Sequence, residues 1–405
     1  MKAVGVVVEY NPFHNGHLHH LEKAKQQAEA DIVIAVMSGS FLQRGEPAMV
    51  DKWSRTKMAL ASGVDLVIEL PYVYSTAQAS EFAKGAISLL SSINCHSFAF
   101  GSEEGSIKPF LNTFSLIEGN RELYESHIKT AMQTGISYPK ALHFAYESLK
   151  DDCSLSYIDL TQPNNILGYH YVEAAHRLQS PIQPQTIQRI AAGYHDLIEK
   201  GTSIASATGI RKALAQGDAI QDLHSFMPKS TFEELTHWHA KHTAFASWEK
   251  FWPLLRFTLT RHTPKQLTQF AEVSEGIEFA LNKAIHSSHS NESFELFMHT
   301  IKSKRYTWTR LQRMLTHIYT GTTKEQLQQF DAPRYIRLLG MSQDGQKYLS
   351  QHKKEFSLPL ISRVASVKDD MLALDIHAAD MYAIGMQQHS YSKLLKDYQT
   401  PPIRF

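Results

Sequence analysis

Cysteine is almost absent: Cys95 and Cys153 stand far apart among 405 residues, and no Cys-x-x-Cys pair occurs. That excludes a disulfide framework and a cysteine-ligated structural zinc, and it suits a reducing compartment, so a cytoplasmic protein is expected. Net charge is nearly absent too. At +1 the chain has no overall field to draw in a polyanion, so any contact with nucleic acid must rest on a local patch. No apolar run approaches the roughly 20 residues of a membrane span. The residues after Met1 enter a β-branched run at once, so neither membrane insertion nor a removable leader is expected. Internal repeats and low-complexity stretches are missing as well. With 43% apolar and 20% charged residues, what remains is a globular chain with room for two or three domains.

Histidine, by contrast, is plentiful at 22 residues, and one group of them sits where it has chemical meaning. Val6 to His20, VVVEYNPFHNGHLHH, reads as a buried strand, a tight turn and a helix with Leu18, Leu21 and Ala28 near one face. The turn then falls at the carboxyl end of a strand, beside a helix N-terminus whose free N–H groups favour a phosphate. His14 and His17 flank Gly16, which lets backbone approach a bulky anion while two imidazoles supply donors. A strand before and a helix after distinguish this group from a chance pattern in a histidine-rich chain.

Strand and helix go on alternating. Asp31–Met37, Val64–Leu70 and Ser97–Phe100 read as strands, and Asp51–Ser62 and Ala77–Ile93 as helices. This predicts an α/β fold with a doubly wound, Rossmann-like parallel sheet. Gly101 follows the fourth strand, where a side chain would obstruct a nucleotide lying across the strand ends. The loop Ser38–Pro47, with Gln43 and Arg44, fits a pocket wall and a plain surface loop equally well, and Arg55 and Lys57 suit a solvated helix face better than a phosphate site. Residues 107–160 read as a helical insertion with a break at Tyr138-Pro139. Gln162–Ala175 opens with Pro163 and two asparagines; Asn164 is either a helix cap or, through an amide that donates and accepts, a reader of adenine or ribose. A fifth strand, Gln185–Ile190, delivers Arg189 toward a triphosphate. In Ser203–Lys212, SIASATGIRK, hydroxyls at Ser206 and Thr208 open a helix and Arg211 follows one turn on, a second anion site suited to a leaving pyrophosphate.

Beyond about residue 220 strand-like runs give way to amphipathic helices, which divides the chain into a nucleotide-binding part, 1–220, and a mostly helical part, 221–405. His237, His239 and His242 have metal-like spacing, but Trp238 and the neighbouring Glu and Lys residues favour a solvated helix face, and no carboxylate constellation marks a protein metal site. Lys302–Arg313, KSKRYTWTRLQR, holds five basic residues and two aromatics without an acidic one. Charge that neutralises phosphate, interleaved with rings that stack on bases, is the composition of an RNA-contacting helix.

Taken together these motifs resemble, over essentially the full length, the bacterial tRNA(Met) cytidine acetate ligase family of the His-Ile-Gly-His-type nucleotidyltransferase superfamily. The resemblance is carried by EYNPFHNGH at Glu9–His17, SGSFLQRGEPA at Ser38–Ala48, FGSE at Phe100–Glu103, PNNILG at Pro163–Gly168, SIASATGIR at Ser203–Arg211 and KRYTWTRLQR at Lys304–Arg313. The superfamily's closing Ser-Thr-x-x-Arg signature takes the incomplete form Ser206-Ala207-Thr208-Gly209-Ile210-Arg211. Tyr10-Asn11-Pro12 replaces the Phe-Asp-Pro of small-molecule adenylyltransferases, which counts against pantetheine or nicotinamide mononucleotide as acceptor. What the resemblance implies is acetate attack on the α-phosphate of ATP, giving acetyl-adenylate and pyrophosphate, then transfer of acetyl to N4 of the wobble cytidine of elongator tRNA(Met). It further implies catalysis by His14, His17, Thr208 and Arg211. ATP contacts would run through Val7, Val8, Glu9, Tyr10, Asn11, Pro12, Phe13, His14, Asn15, Gly16, His17, Leu18, His19 and His20, with Gly101, Asn164 and Arg189. Mg2+ would accompany the triphosphate, and tRNA would lie on Lys304, Arg305, Arg310 and Arg313; neither DNA nor a membrane is an expected partner. Two rival readings are an adenylyltransferase for a small phosphorylated acceptor and a non-catalytic RNA-binding protein on the same fold. The intact His14, His17, Thr208 and Arg211 weigh against the second.

Overall fold

A computed structural model of the chain describes residues 1–136, 138–150, 155–190, 204–289, 291–386 and 394–405. Cys153 and Ser203, the first residue of the second anion motif, lie outside the described residues. The strands are β1 (Ala3–Val8), β2 (Ile32–Ser38), β3 (Leu66–Leu70), β4 (Ser97–Ser102), β5 (Gln183–Gln188), β6 (Ile336–Met341), β7 (Leu360–Ile361) and β8 (Ile403–Arg404). They form one sheet in the order β5-β4-β1-β2-β3-β6-β7, with β8 beside β6. Strands β1 to β5 pair in parallel, as the alternation of strand and helix predicts. From β1 the chain builds outward through β2 and β3 on one side and through β4 and β5 on the other. The switch point, where open α/β sheets bind ligands, therefore lies between β1 and β4.

Both faces of the sheet are covered, which is why its strands read as unbroken apolar runs. Val4, Val6 and Val8 of β1, with Val33, Ala35 and Met37 of β2, point into one core; Ile32, Ile34 and Val36 point into the other. Among the described residues the helices of the first half are α1 (Asn15–Gln27), α2 (Lys52–Ala61), α3 (Tyr72–Ser75), α4 (Ala79–Ser92), α5 (Ile107–Gly119), α6 (Arg121–Gln133), α7 (Tyr138–Glu147), α8 (Pro163–Arg177) and α9 (Ala207–Ala215). Tyr138-Pro139 opens α7, as suits a proline in a first turn. The second half continues with α10 (Lys229–His242), α11 (Trp248–Arg261), α12 (Pro264–Leu267), α13 (Ile277–Ser287), α14 (Phe294–Ile301), α15 (Trp308–Thr320), α16 (Lys324–Gln328), α17 (Gln343–His352), α18 (Asp370–Gly385) and α19 (Lys396–Gln399).

Strands do not disappear after residue 220. β6 returns to the sheet and pairs antiparallel with β3, setting Arg337 opposite Glu69. That pair sits in a buried ion cluster: Lys52 Nζ lies 2.7 Å from both Glu69 and Asp397, and Arg337 lies 3.2 Å from Glu69 and 3.1 Å from Asp397. Two cations and two carboxylates thereby hold α2, β3, β6 and α19 together with their charges mutually satisfied.

The loop Ser38–Pro47 joins the two halves. Phe41 is fully buried and meets Phe251, Tyr319 and Tyr382 with ring centroids 6.2, 6.0 and 6.2 Å away. Gly45 has φ 75°, and a Cβ there would lie 2.2 Å from the backbone nitrogen of Arg313. Only glycine lets the loop lie this close to α15. The Gly45 carbonyl accepts from Trp248 Nε1 at 2.8 Å and from Thr316 Oγ1 at 3.1 Å. Arg55, expected on a solvated face, is fully buried instead. Its guanidinium donates to the carbonyls of Glu9 and Ser38, both at 2.8 Å, and to those of Gly39 and Val50. These carbonyls lie at or just past the ends of β1 and β2 and in the turn before α2, so a side chain from α2 ties the end of β1, on one side of the switch point, to the end of β2.

Candidate active site

The turn after β1 passes through Tyr10, at φ 50°, and a cis Asn11–Pro12 bond. His14 then caps α1. Its Nδ1 accepts the Gly16 N–H at 3.0 Å, while His17 Nδ1 accepts the His14 N–H at 3.3 Å, so each side chain satisfies a donor that the helix start leaves free. Because both Nδ1 atoms accept, each neutral ring carries its proton on Nε2. The rings stack with centroids 3.8 Å apart. Gly16 is what permits the fold-back: a Cβ there would lie 2.8 Å from His14 Cε1.

Tyr10 and Phe13 are buried beneath the turn and touch the His17 ring at centroid distances of 5.1 and 5.6 Å. Asn11 faces the fold, its Oδ1 accepting the Met49 N–H at 2.7 Å. Its carbonyl accepts from Arg211 at 2.8 Å, and Arg211 also pairs with Glu46 at 3.2 Å. The second anion motif is thus brought across 200 residues against the first. Ser206 caps α9, accepting from Gly209 N–H at 3.0 Å, and it lines the cleft together with Thr208 and Arg211.

Electrostatically the histidines are not cations here. Burial first, then the charges of Arg189 and Arg211, push the His14 pKa down to about 3. Burial, His14, Arg189 and His20 hold His17 well below its usual value, and His20 falls to about 4 through burial, Arg189 and His19. At neutral pH the turn therefore offers two neutral N–H donors, and positive charge comes from the arginines.

These residues open into a continuous cleft of about 2110 Å³, beyond the ~300–1,000 Å³ of ordinary small-ligand pockets. Val7, Val8, Glu9, Tyr10, Asn11, His14, His17, Asn164, Arg189, Thr208 and Arg211 all line it. Pro12, Phe13, Asn15, Gly16, Leu18, His19 and His20 are not among the residues that line it. Asn15 donates to the Ser225 carbonyl at 2.9 Å. Gly101 sits on β4 opposite Ile187 of β5, two residues before Arg189. Asn164 is held by Glu103, which accepts from its Nδ2 at 2.6 Å and from the Asn165 N–H at 2.9 Å. Glu103 thus does the capping that the sequence suggested for Asn164. Nothing local signals that long-range role, although Glu103 belongs to the FGSE motif.

Farther along the cleft lie Arg305, Arg310 and Arg313. The expected continuous basic helix from Lys302 is not formed: Thr307 caps α15, accepting from Arg310 N–H at 3.2 Å, and Lys304 and Arg305 precede the helix. Arg305 and Arg310 are partly exposed and share Glu275 at 3.2 and 3.5 Å. Arg313 is only 9% exposed and grips both oxygens of Glu272 at 2.7 and 3.2 Å. In α10, the His242 ring lies tilted against Trp238 and the His239 ring tilted against Phe245, with centroids 4.2 and 5.6 Å apart.

A capped pair of neutral imidazoles at the switch point of a parallel sheet, with two arginines across the cleft, is the arrangement of a nucleotidyltransferase. The sequence matches the HIGH Nucleotidyl Transferase family over residues 1–397, and the chain belongs to that family. Relatives narrow the assignment. The chain is 64% identical over 405 residues to the tRNA(Met) cytidine acetate ligase of Lysinibacillus sphaericus, with 100% of both chains covered. It is 45% identical over 411 residues to that of Bacillus subtilis, covering 100% of this chain and 98% of the other. The fold matches the crystal structure of Thermotoga maritima TmcAL bound with alpha-thio ATP at a TM-score of 0.88 and 29% identity, with 100% of both chains covered. Within the nucleotidyltransferases, then, this is a member of the tRNA(Met) cytidine acetate ligase family.

Proposed function

We propose that the protein is an ATP-dependent tRNA(Met) cytidine acetate ligase. Acetate attacks the α-phosphate of ATP, pyrophosphate leaves, and the acetyl group of acetyl-adenylate passes to N4 of the wobble cytidine of elongator tRNA(Met), giving N4-acetylcytidine. The observation that carries this reading is the pair of neutral Nε2–H imidazoles facing Arg189 and Arg211 in a cleft that continues to Arg305 and Arg310. Acetate is already an anion at neutral pH, so the first step needs no base. It needs donors where negative charge grows, and one preorganised donor contributes roughly 3 kcal/mol. His14 and His17 supply N–H groups to the α-phosphate; Arg189, Thr208 and Arg211 hold the departing pyrophosphate. Gly101 and Asn164 border the nucleoside, and the segment Val7–His20 forms the floor beneath the nucleotide. Mg2+ would accompany the triphosphate as part of the substrate and would add to the charge neutralisation that Arg189 and Arg211 supply.

Residues 1–220 hold the nucleotide and residues 221–405 receive tRNA, with Lys304, Arg305 and Arg310 at the rim. Arg313, paired with Glu272, supports that rim from inside. The site of action is the cytoplasm, where ATP and tRNA meet; no helix among the described residues is long and apolar enough to cross a membrane. The test is to incubate protein, ATP and radiolabelled acetate with and without tRNA. Labelled acetyl-adenylate without tRNA and labelled tRNA with it are expected. Turnover of 4′-phosphopantetheine or nicotinamide mononucleotide into a dinucleotide would instead make the protein a small-acceptor adenylyltransferase.

A further inference from the structure

Glu9 is the first residue beyond β1, and both of its ends are fixed. Its carbonyl accepts from Arg55 at 2.8 Å, and its Oε1 accepts the Gln43 N–H at 2.8 Å. Gln43 is itself held through its Nε2 to the Ala77 carbonyl at 2.9 Å. Glu9 lines the cleft with His14 and His17, and of its carboxylate oxygens Oε1 alone is engaged in a hydrogen bond among the described residues. Two other carboxylates of the cleft differ in this respect: Glu46 is paired with Arg211 and Glu272 with Arg313.

A preorganised carboxylate is ill suited to face either reactant of the first step, because acetate and the triphosphate are both anions. Its chemistry suits a partner that brings N–H groups. The exocyclic amine of cytidine is such a partner, since a carboxylate accepts from cytosine N4. That amine is also a poor nucleophile, its lone pair being delocalised into the ring, so it must shed a proton as the new bond forms.

We propose, building on the acetate-ligase reading, that Glu9 is the proton acceptor for the attacking cytidine amine. The N4 lone pair bonds to the carbonyl carbon of acetyl-adenylate, and one N4 proton passes to Glu9 Oε2. The bond from that carbon to the phosphate oxygen then breaks, and its electron pair leaves on AMP. Glu9 returns the proton to water. Burial holds its carboxyl above the ordinary range and Glu46 adds to the rise, with the Gln43 N–H, Arg44 and Arg211 pulling it back, which makes the carboxylate a stronger base than an exposed one.

The test compares wild type with Glu9→Gln, which keeps the shape and can still accept from Gln43. Hydroxylamine, a nucleophile that needs no base, traps acetyl-adenylate as hydroxamate and reports the first step. Single-turnover acetylation of tRNA reports the second, followed from acidic to neutral pH. In Glu9→Gln, transfer to tRNA should fall about 100-fold or more, with hydroxamate formation reduced far less, and the acidic limb of the wild-type transfer profile should vanish. Glu9→Asp should keep that limb at a reduced rate. Equal loss of both steps would return Glu9 to the nucleotide site. An unchanged transfer rate, or a raised KM for tRNA at unchanged kcat, would also overturn the proposal. Wild-type protein that makes neither hydroxamate nor acetylated tRNA would instead sink the ligase reading itself.

Discussion

Acid should destabilise this protein through imidazoles that it buries uncharged, and His20 isolates the effect. His20 lies in α1, in the turn of helix after His14 and His17, with Nε2 buried and making no hydrogen bond among the described residues. Burial, Arg189 and His19 lower its pKa to about 4, whereas an unfolded histidine titrates near ~6.5. Between those values the unfolded chain binds the proton and the folded chain does not. Stability from this source is therefore complete above about pH 6.5 and is lost as pH falls, levelling off below about 4. At about pH 5 the loss is roughly 1.5 pKa units, or about 2 kcal/mol. His14, lowered to about 3, adds a similar amount, so the two remove about 4 kcal/mol from a typical total of about 5–15. Denaturant unfolding at about pH 7 and pH 5 measures the drop directly. In His20→Leu, which removes the proton site and keeps an apolar side chain, the drop should be smaller by about 2 kcal/mol. Equal drops in the two proteins would refute the claim that His20 is held neutral.

Four further outcomes are expected. His17→Ala should stay folded and lose acetyl-adenylate formation by roughly 100-fold or more; near-normal formation, measured as pyrophosphate release with acetate, would remove His17 from the clamp. Replacing Lys304, Arg305 and Arg310 together with Ala should weaken tRNA binding and flatten its salt dependence by about 0.7 to 0.9 log units per lost phosphate contact, leaving the adenylate step in place. Arg313→Ala should behave differently, since it strands Glu272 and costs about 3–5 kcal/mol of stability, read as a lowered melting temperature. Arg55→Met should also destabilise, by roughly 3 kcal/mol or more, because it leaves several buried carbonyls without donors; unchanged melting would contradict the clamp on the β1 and β2 ends.

Much of the first half of the chain was legible because its signals are local. A β-branched run, a turn bearing His14-Asn15-Gly16-His17 and a helical period are all contained in Val4–Ala28, and the alternation that follows fixes a parallel sheet. The parts that escaped depend on pairings distant in sequence. Arg55 looks like any arginine on a helix; only the convergence of β1 and β2 shows that its guanidinium is needed to satisfy their carbonyls. β6, IRLLGM, has a single β-branched residue and becomes a strand because β3 offers it an edge, with Arg337 meeting Glu69. Composition marked Lys304–Arg313 as basic, yet composition cannot see Glu272 and Glu275, which divide those cations into one internal support and a partly exposed rim. The protonation state of His14 and His17 was equally hidden, since it depends on burial and on Arg189 and Arg211 approaching from elements far along the chain.

The most direct test of the account is to incubate the protein with ATP, doubly carbon-13-labelled acetate and either elongator or initiator tRNA(Met), then digest the RNA to nucleosides for mass spectrometry. Labelled N4-acetylcytidine should come from the elongator tRNA, depend on ATP and fall to background with His17→Ala. Acetylation of the elongator tRNA that proceeds without ATP, or no acetylcytidine from a folded protein that binds both ATP and that tRNA, would contradict it.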